Sequence, residues 1–155
     1  MGEPMTVQFA TFYLGEYLFA VPVGQVQEVL QQLPHTPAPG ASRAVTGLIN
    51  LRGQVVTALD LRKRLGMPPR EARAGSDEPA QSINVVVRAK DEVWSLIVDR
   101  IGDVMNVTEE QFEQPPDTLR GPLSDLIVGA YKLDGQLLLQ LDVDRALELP
   151  ADASI

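Results

Sequence analysis

The residues that could carry chemistry in this 155-residue chain are few: Asp60, Asp99, Asp103 and Asp142, the only histidine, His35, and the ionic residues Glu28 and Arg52. Paired carboxylates can divide acid and base roles in a hydrolase. Asp60 and Asp142, however, stand just before short helical patterns, where a carboxylate caps free backbone amides. That leaves Asp99 and Asp103 for a carboxylate-dependent hydrolase, and both follow strands as solvated residues commonly do. His35 lies in the proline-rich stretch Leu33–Pro39 with no partner motif for a general base, so it reads as an exposed loop residue. Without cysteine there is no disulfide, thiolate metal site or sulfur nucleophile. No phosphate loop, nucleophile elbow or metal-ligand spacing is present either. The expectation is a non-catalytic protein with neither cofactor nor metal.

Val26, Glu28 and Arg52 read differently, because they set one apolar and two opposite charged groups near strand ends, and an arginine anchors protein interfaces through several directed hydrogen bonds. The plainer reading is a surface ion pair between Glu28 and Arg52, which contributes little to stability. A third reading, a binder of proline-rich peptides, would need a shelf of exposed aromatics. Aromatics make up 5% of the chain, and most fall in strand patterns.

The elements that must hold these residues are mainly strands. Apolar and aromatic alternation from Val7 to Val23 around Gly15 and Glu16 predicts a hairpin. Gly24–Leu30 is too short to settle, and Leu33–Pro39 is an extended connection. Gly47–Leu61 reads as strand, turn at Arg52 and Gly53, and strand, followed by a short helix Leu61–Leu65. Met67–Gln81 is a linker or loop. Ile83–Val87 and Val93–Val98 form a hairpin, Ile101–Val107 a strand, and Thr108 with Gln111 a capped turn. Pro115–Pro122 is a loop, and Gly129–Leu141 a hairpin turning at Asp134 and Gly135. A terminal helix spans Val143–Leu149. Trp94 is expected in the core, as are Leu137, Leu138 and Leu139.

Composition agrees with one compact domain: 45% apolar and 22% charged residues. A formal charge of −8 repels nucleic acid, and the basic run Arg62–Arg64 is too short to override it. No apolar run approaches a membrane span, and Met1–Thr6 lacks a signal-peptide pattern, so a cytoplasmic location is expected.

The second half repeats the first. GLINLRGQVVTALDLRKRL from Gly47 matches GAYKLDGQLLLQLDVDRAL from Gly129 at an offset of 82, with seven identities: Gly47, Leu51, Gly53, Gln54, Leu59, Asp60 and Leu65. Chance would supply roughly one. LFAVPVGQVQEVL from Leu18 matches VWSLIVDRIGDVM from Val93 at an offset of 75, which aligns Glu28 with Asp103 and Trp94 with Phe19. Short strands used twice predict an all-β fold with short helices, two small barrels joined over 6–150, of which 6–75 forms mainly the first and 80–150 mainly the second, with a flexible tail at 151–155. Arg52 aligns with Asp134, so the architecture does not demand a cation at that turn.

GLINLRGQVVTALDLRKRLG, preceded by YLFAVPVGQVQEVL and followed by SLIVDRIGDV and GQLLLQLDV, resembles the CheW chemotaxis coupling family from about Val7 to Leu149. The resemblance implies two five-stranded SH3-like barrels around a shared core, acting as a scaffold between methyl-accepting chemoreceptors and the histidine kinase CheA. It implies a receptor-binding surface with Val26, Glu28 and Arg52 on one side and Ile101 opposite, and a kinase regulatory domain against the first barrel at residues it does not identify. The receptor tip would be a helical hairpin laid into an apolar groove, with the protein recruited to receptor arrays at the inner face of the membrane. Thr57 and Ala58 depart from the Val and Pro usual in the family strand.

Overall fold

The structure, a computed structural model, describes residues 6–31, 33–38, 42–68 and 82–149; Pro39, most of the Met67–Gln81 connection and the 151–155 tail lie outside the described residues. Strands β1 (Thr6–Leu14) and β2 (Tyr17–Pro22) form the expected first hairpin. The undecided stretch after it is a 3-10 turn at Val23–Gln25 and then β3 (Val26–Gln31). β4 (Val45–Leu51) and β5 (Gln54–Asp60) turn at Arg52 and Gly53 and lead into α1 (Leu61–Arg64), whose Lys63 amide donates to the Asp60 carboxylate at 3.3 Å. β6 (Ile83–Ala89) and β7 (Glu92–Val98) are the second hairpin.

The strand expected over Ile101–Val107 is split into β8 (Arg100–Ile101) and β9 (Met105–Thr108). The chain bends between them because the Gly102 amide donates to the Thr11 carbonyl at 2.8 Å and the Thr11 hydroxyl donates to the Asp103 carbonyl at 2.5 Å. A 3-10 turn carrying the Thr108–Gln111 capping box precedes β10 (Phe112–Glu113). The Pro115–Pro122 loop ends in an unforeseen helix, α2 (Pro122–Asp125), which uses proline at its first position, where no amide is missed. β11 (Ile127–Leu133), β12 (Gln136–Leu141) and α3 (Val143–Ala146) complete the chain, the Asp142 carboxylate accepting from the Arg145 amide at 3.1 Å.

The repeat survives at the level of register. Val45 pairs with Leu59 and Gly47 with Ala58, with a bulge between; 82 residues on, Ile127 pairs with Leu141 and Gly129 with Gln140, again with a bulge. Phe12 pairs with Phe19, and 75 residues on Val87 pairs with Trp94.

The sheets are nevertheless not divided at residues 75–80. One runs β3-β6-β7-β5-β4; the other runs β10-β11-β12-β2-β1-β8, with β9 also along β1. Each repeat therefore lends its first hairpin to the other's barrel, β7 lying parallel to β5 and β2 parallel to β12. The result is two SH3-like barrels. The first has a small interior of Leu51, Val56 and Val86, and the second one of Phe9, Leu18, Val107, Tyr131 and Leu138. The largest cluster lies between them and draws Phe12, Phe19 and Leu139 from one sheet and Leu59, Val87 and Leu96 from the other.

The extended segment after β3 closes the first barrel: the Thr36 amide donates to the Leu48 carbonyl at 2.8 Å and Leu48 returns the bond at 2.7 Å. Gly47 makes that approach possible, since a Cβ there would overlap the Thr36 carbonyl oxygen; at the equivalent Gly129 it would overlap the ring of Phe112. Gly53, at φ 86°, has open space around it. Gly53→Ala is expected to cost about 1–2 kcal/mol, the strain of a left-handed alanine. Gly47→Ala is expected to cost about 2–3 kcal/mol, because immobile backbone must give way. Gly129→Ala should fall below Gly47→Ala, because the half-exposed Phe112 ring can swing aside. Urea denaturation of the three variants measures that order.

Candidate functional site

Glu28 and Arg52 meet because of a bulge. Val26 opposes Val87 on β6 while Glu28 opposes Val86, so Gln27 is the extra residue and the alternation slips by one. Opposed residues share a face. Val26 therefore packs on the cluster between the barrels, to which Val87 belongs, whereas Glu28 turns to the face of Val86 and Leu51, next to the β4–β5 turn. There the two terminal nitrogens of the Arg52 guanidinium donate to the two carboxylate oxygens of Glu28, each at 2.7 Å. The pair is lopsided: the Glu28 side chain is 18% exposed and the Arg52 side chain 71%. The hydrogen bonds from Arg52 hold the Glu28 carboxyl below its ordinary range and raise the guanidinium further.

The turn itself is strained. Arg52 has φ 52° and Gly53 φ 86°, a two-residue loop of a kind that favours Asn-Gly or Asp-Gly. Among the described residues, the non-glycines with positive φ are Arg52, Lys90 and Asp91; the sister turn residue Asp134 is not one of them. An arginine held left-handed is a poor choice for making the turn, and backbone strain of this kind concentrates at functional positions.

Ile101 lies on β8 opposite Phe12, 43% exposed, with the neighbouring Arg100 guanidinium 3.9 Å from the centre of the Tyr13 ring. Adding 75 carries Val26 to Ile101 and Phe12 to Val87, so the pairs Val26–Val87 and Ile101–Phe12 are the same contact made once in each barrel. Val26 packs on the shared cluster, and Ile101 pairs with Phe12, a member of it. Two exposed side chains continue this pattern and went unremarked in the sequence, Val29 and Val104, again 75 apart. The same alignment that matches Glu28 to Asp103 contains them.

The carboxylates are not arranged as a hydrolase would need. Asp99 is not the solvated residue expected: its side chain is 12% exposed, accepts from Arg62 Nε at 2.9 Å and from a terminal Arg62 nitrogen at 2.6 Å, and also from the Gly15 amide at 2.7 Å. Oxygens committed in this way do not attack or shuttle protons. Asp103 is exposed, Asp60 and Asp142 cap their helices, and His35 is exposed. Trp94 is half-buried, its Nε1 donating to Glu92 at 3.1 Å, rather than sealed in like Phe19. Leu138 and Leu139 are buried and Leu137 partly so. The exposed rings of Tyr17 and Phe112 each lean on a buried ring, Phe19 and Tyr131, so they do not form a shelf together. Among the described residues no helix is long and apolar enough to cross a membrane.

Known proteins share this arrangement. The family model described as CheW-like domain matches residues 8–151. Chemotaxis protein CheW of Bacillus subtilis (strain 168) is 31% identical over 99% of this chain and 92% of its own length. The protein of that name from Treponema pallidum (strain Nichols) is 30% identical over 89% and 80%. The crystal structure of scaffolding protein TtCheW from Thermoanaerobacter tengcongensis superimposes with a TM-score of 0.79 at 25% identity, covering 96% of this chain and 97% of that one. With its exchanged hairpins, twin barrels and near full-length match, the chain belongs to the CheW-like family.

Proposed function

We propose that the protein is a non-catalytic adaptor that couples chemoreceptors to a CheA-type histidine kinase in a bacterial chemosensory array. The observation that carries this reading is Arg52: an exposed guanidinium, held outward by Glu28 on a strained turn, at a position where the sister repeat does without a cation. Val26 and Ile101, with Val29 and Val104 beside them, supply apolar surface on both barrels. A receptor helix laid along the seam between them would bury the valines and isoleucine and take its orientation from the charged pair at the rim. The kinase regulatory domain is assigned to the first barrel as a whole.

Such docking needs only geometry, which suits a chain in which Asp60 and Asp142 cap helices and Asp99 is held in a cross-link. It also gives a location: the adaptor sits in the cytoplasm and is held at the inner face of the membrane by the receptors it binds. TtCheW is described as a scaffolding protein, and the same role is the one proposed here.

Two experiments test the assignment. Arg52→Gly suits φ 52° better than arginine does, so its thermal midpoint should equal or exceed that of the unmodified protein, while affinity for a purified receptor cytoplasmic fragment falls at least about tenfold. Arg52→Asp should likewise keep the fold and lose the complex. Wild-type assembly by both variants in a pull-down with receptor fragment and kinase would remove Arg52 from the site. The pair's electrostatics are checked separately. Because the folded Glu28 carboxyl titrates below its unfolded value, whatever stability it adds is present above the unfolded value and is lost as pH falls through the depressed one. An NMR titration should show the Glu28 carboxyl midpoint lower than that of an ordinary glutamate, returning to the ordinary range in Arg52→Gly.

A further inference from the structure

Among the described residues the chain passes from one barrel to the other at two places, once after β2 through the Val23–Gln25 turn and once after β7 at Asp99. The two crossings are equivalent in the repeat, since Gly24 and Asp99 are 75 residues apart, but they are built differently. Gly24 brings no side chain, and a Cβ added there would meet nothing within 4 Å. Asp99 joins three elements. Its carboxylate takes two hydrogen bonds from Arg62 in α1, on the first barrel, and one from the amide of Gly15, in the β1–β2 turn of the second. The remaining Arg62 nitrogen donates to the Pro68 carbonyl at 2.7 Å. With side chains 14% and 12% exposed, Arg62 and Asp99 are shielded from competing water and salt.

The corresponding junction on the other side of the molecule has an ion pair too, of another make. Lys90, the counterpart of Gly15, reaches Glu148 at 2.5 Å, with side chains 54% and 62% exposed. A flexible ammonium and carboxylate in open water restrain little. Arg64 also ties α1 to the end of α3 by donating to the Ala146 and Glu148 carbonyls at 2.7 and 3.0 Å. The barrels are thus linked by a shielded, forked pair at Asp99, by Arg64 between the two helices, and by an exposed pair at Lys90.

We propose that Arg62 and Asp99 are positioning residues for partner docking: their clasp sets the angle between the barrels, and with it the separation of Val26 and Val29 in one barrel from Ile101 and Val104 in the other, while the exposed Lys90–Glu148 pair contributes little to it. This rests on the docking surface assigned under the proposed function. Neither Arg62 nor Asp99 belongs to that surface, so their influence is exerted through the backbone at the crossing.

The absence of native cysteine makes a direct measurement possible. Gln31→Cys on β3 and Asn106→Cys on β9, both exposed, accept one spin label per barrel. In that background Asp99→Asn and Arg62→Gln should shift or broaden the inter-label distance distribution and weaken binding of a purified receptor cytoplasmic fragment about tenfold. Lys90→Gln should leave both as they were. Arg62→Lys, which keeps the charge and loses the fork, should fall between and stands in for any variant that fails to fold. An unchanged distribution in Asp99→Asn, or an equal change in Lys90→Gln, overturns the clasp. Altered distances with unaltered affinity overturn its role in docking. Failure of the unmodified protein to bind the fragment refutes the docking surface instead, and the distances still judge the clasp.

Discussion

A small barrel is free of open edges only when its outer strands find partners, and here neither repeat supplies those partners to itself. β1 and β2 complete the barrel that β11 and β12 begin, and β6 and β7 complete the one that β4 and β5 begin. From that exchange follows the shared cluster: Phe12, Phe19 and Val21 arrive with one lent hairpin, Val85, Val87 and Leu96 with the other, and they pack on each other between the sheets. Separating the barrels would open both sheets as well as expose this core. The existence of a seam between them follows from the strand exchange, while its opening angle is left to contacts such as the Arg62–Asp99 pair.

The duplication acts as an internal control on what the fold requires. Gly47 and Gly129 are glycine in both copies because something lies against each, Thr36 in one barrel and Phe112 in the other. Where the copies differ, the architecture accepts either residue. Phe9 and Ala20, sealed inside the second barrel, correspond to Asn84 and Ser95, equally sealed inside the first, where the Ser95 hydroxyl donates to the Asn84 side-chain oxygen at 2.9 Å. A satisfied polar pair is tolerated in a core that could have been apolar, and it leaves the first barrel with the smaller greasy interior. Arg52 against Asp134 is the same kind of difference moved to the surface, where packing cannot be its reason.

Most strands, both helix caps and the repeat were legible in the sequence because each rests on local chemistry: alternation, a carboxylate before an apolar helical turn, glycine at a tight bend. The exchange of hairpins was not, since alternation says which face of a strand is buried and nothing of which strand lies beside it. The division at 75–80 failed for that reason. The bulge at Gln27 is invisible for a related one: it is an offset between two ladders, and it is what carries Glu28 from the face of Val26 to that of Leu51. Asp99 was misjudged because its partner, Arg62, is 37 residues away and sits in a basic run that looks merely solvated. Val29 and Val104 could have been found, since the alignment that matched Glu28 to Asp103 sets them side by side.

The Glu28–Arg52 and Arg62–Asp99 pairs use the same two groups to opposite ends. Largely shielded at the crossing, the Arg62 fork is matched by two carboxylate oxygens and a backbone carbonyl, the geometry of a brace. At the turn, most of the Arg52 side chain faces solvent, which screens the attraction and keeps the guanidinium open to another acceptor. Were the proposed partner to bring a carboxylate there, it would compete with Glu28 at small loss, because an exposed pair has little to forfeit. Glu28 keeps the fork turned outward in the meantime, which lowers the ordering cost of a contact made through several hydrogen bonds at once. A shielded pair where the chain crosses between barrels and an exposed pair at the β4–β5 turn is a division of labour that suits the adaptor role proposed for this chain.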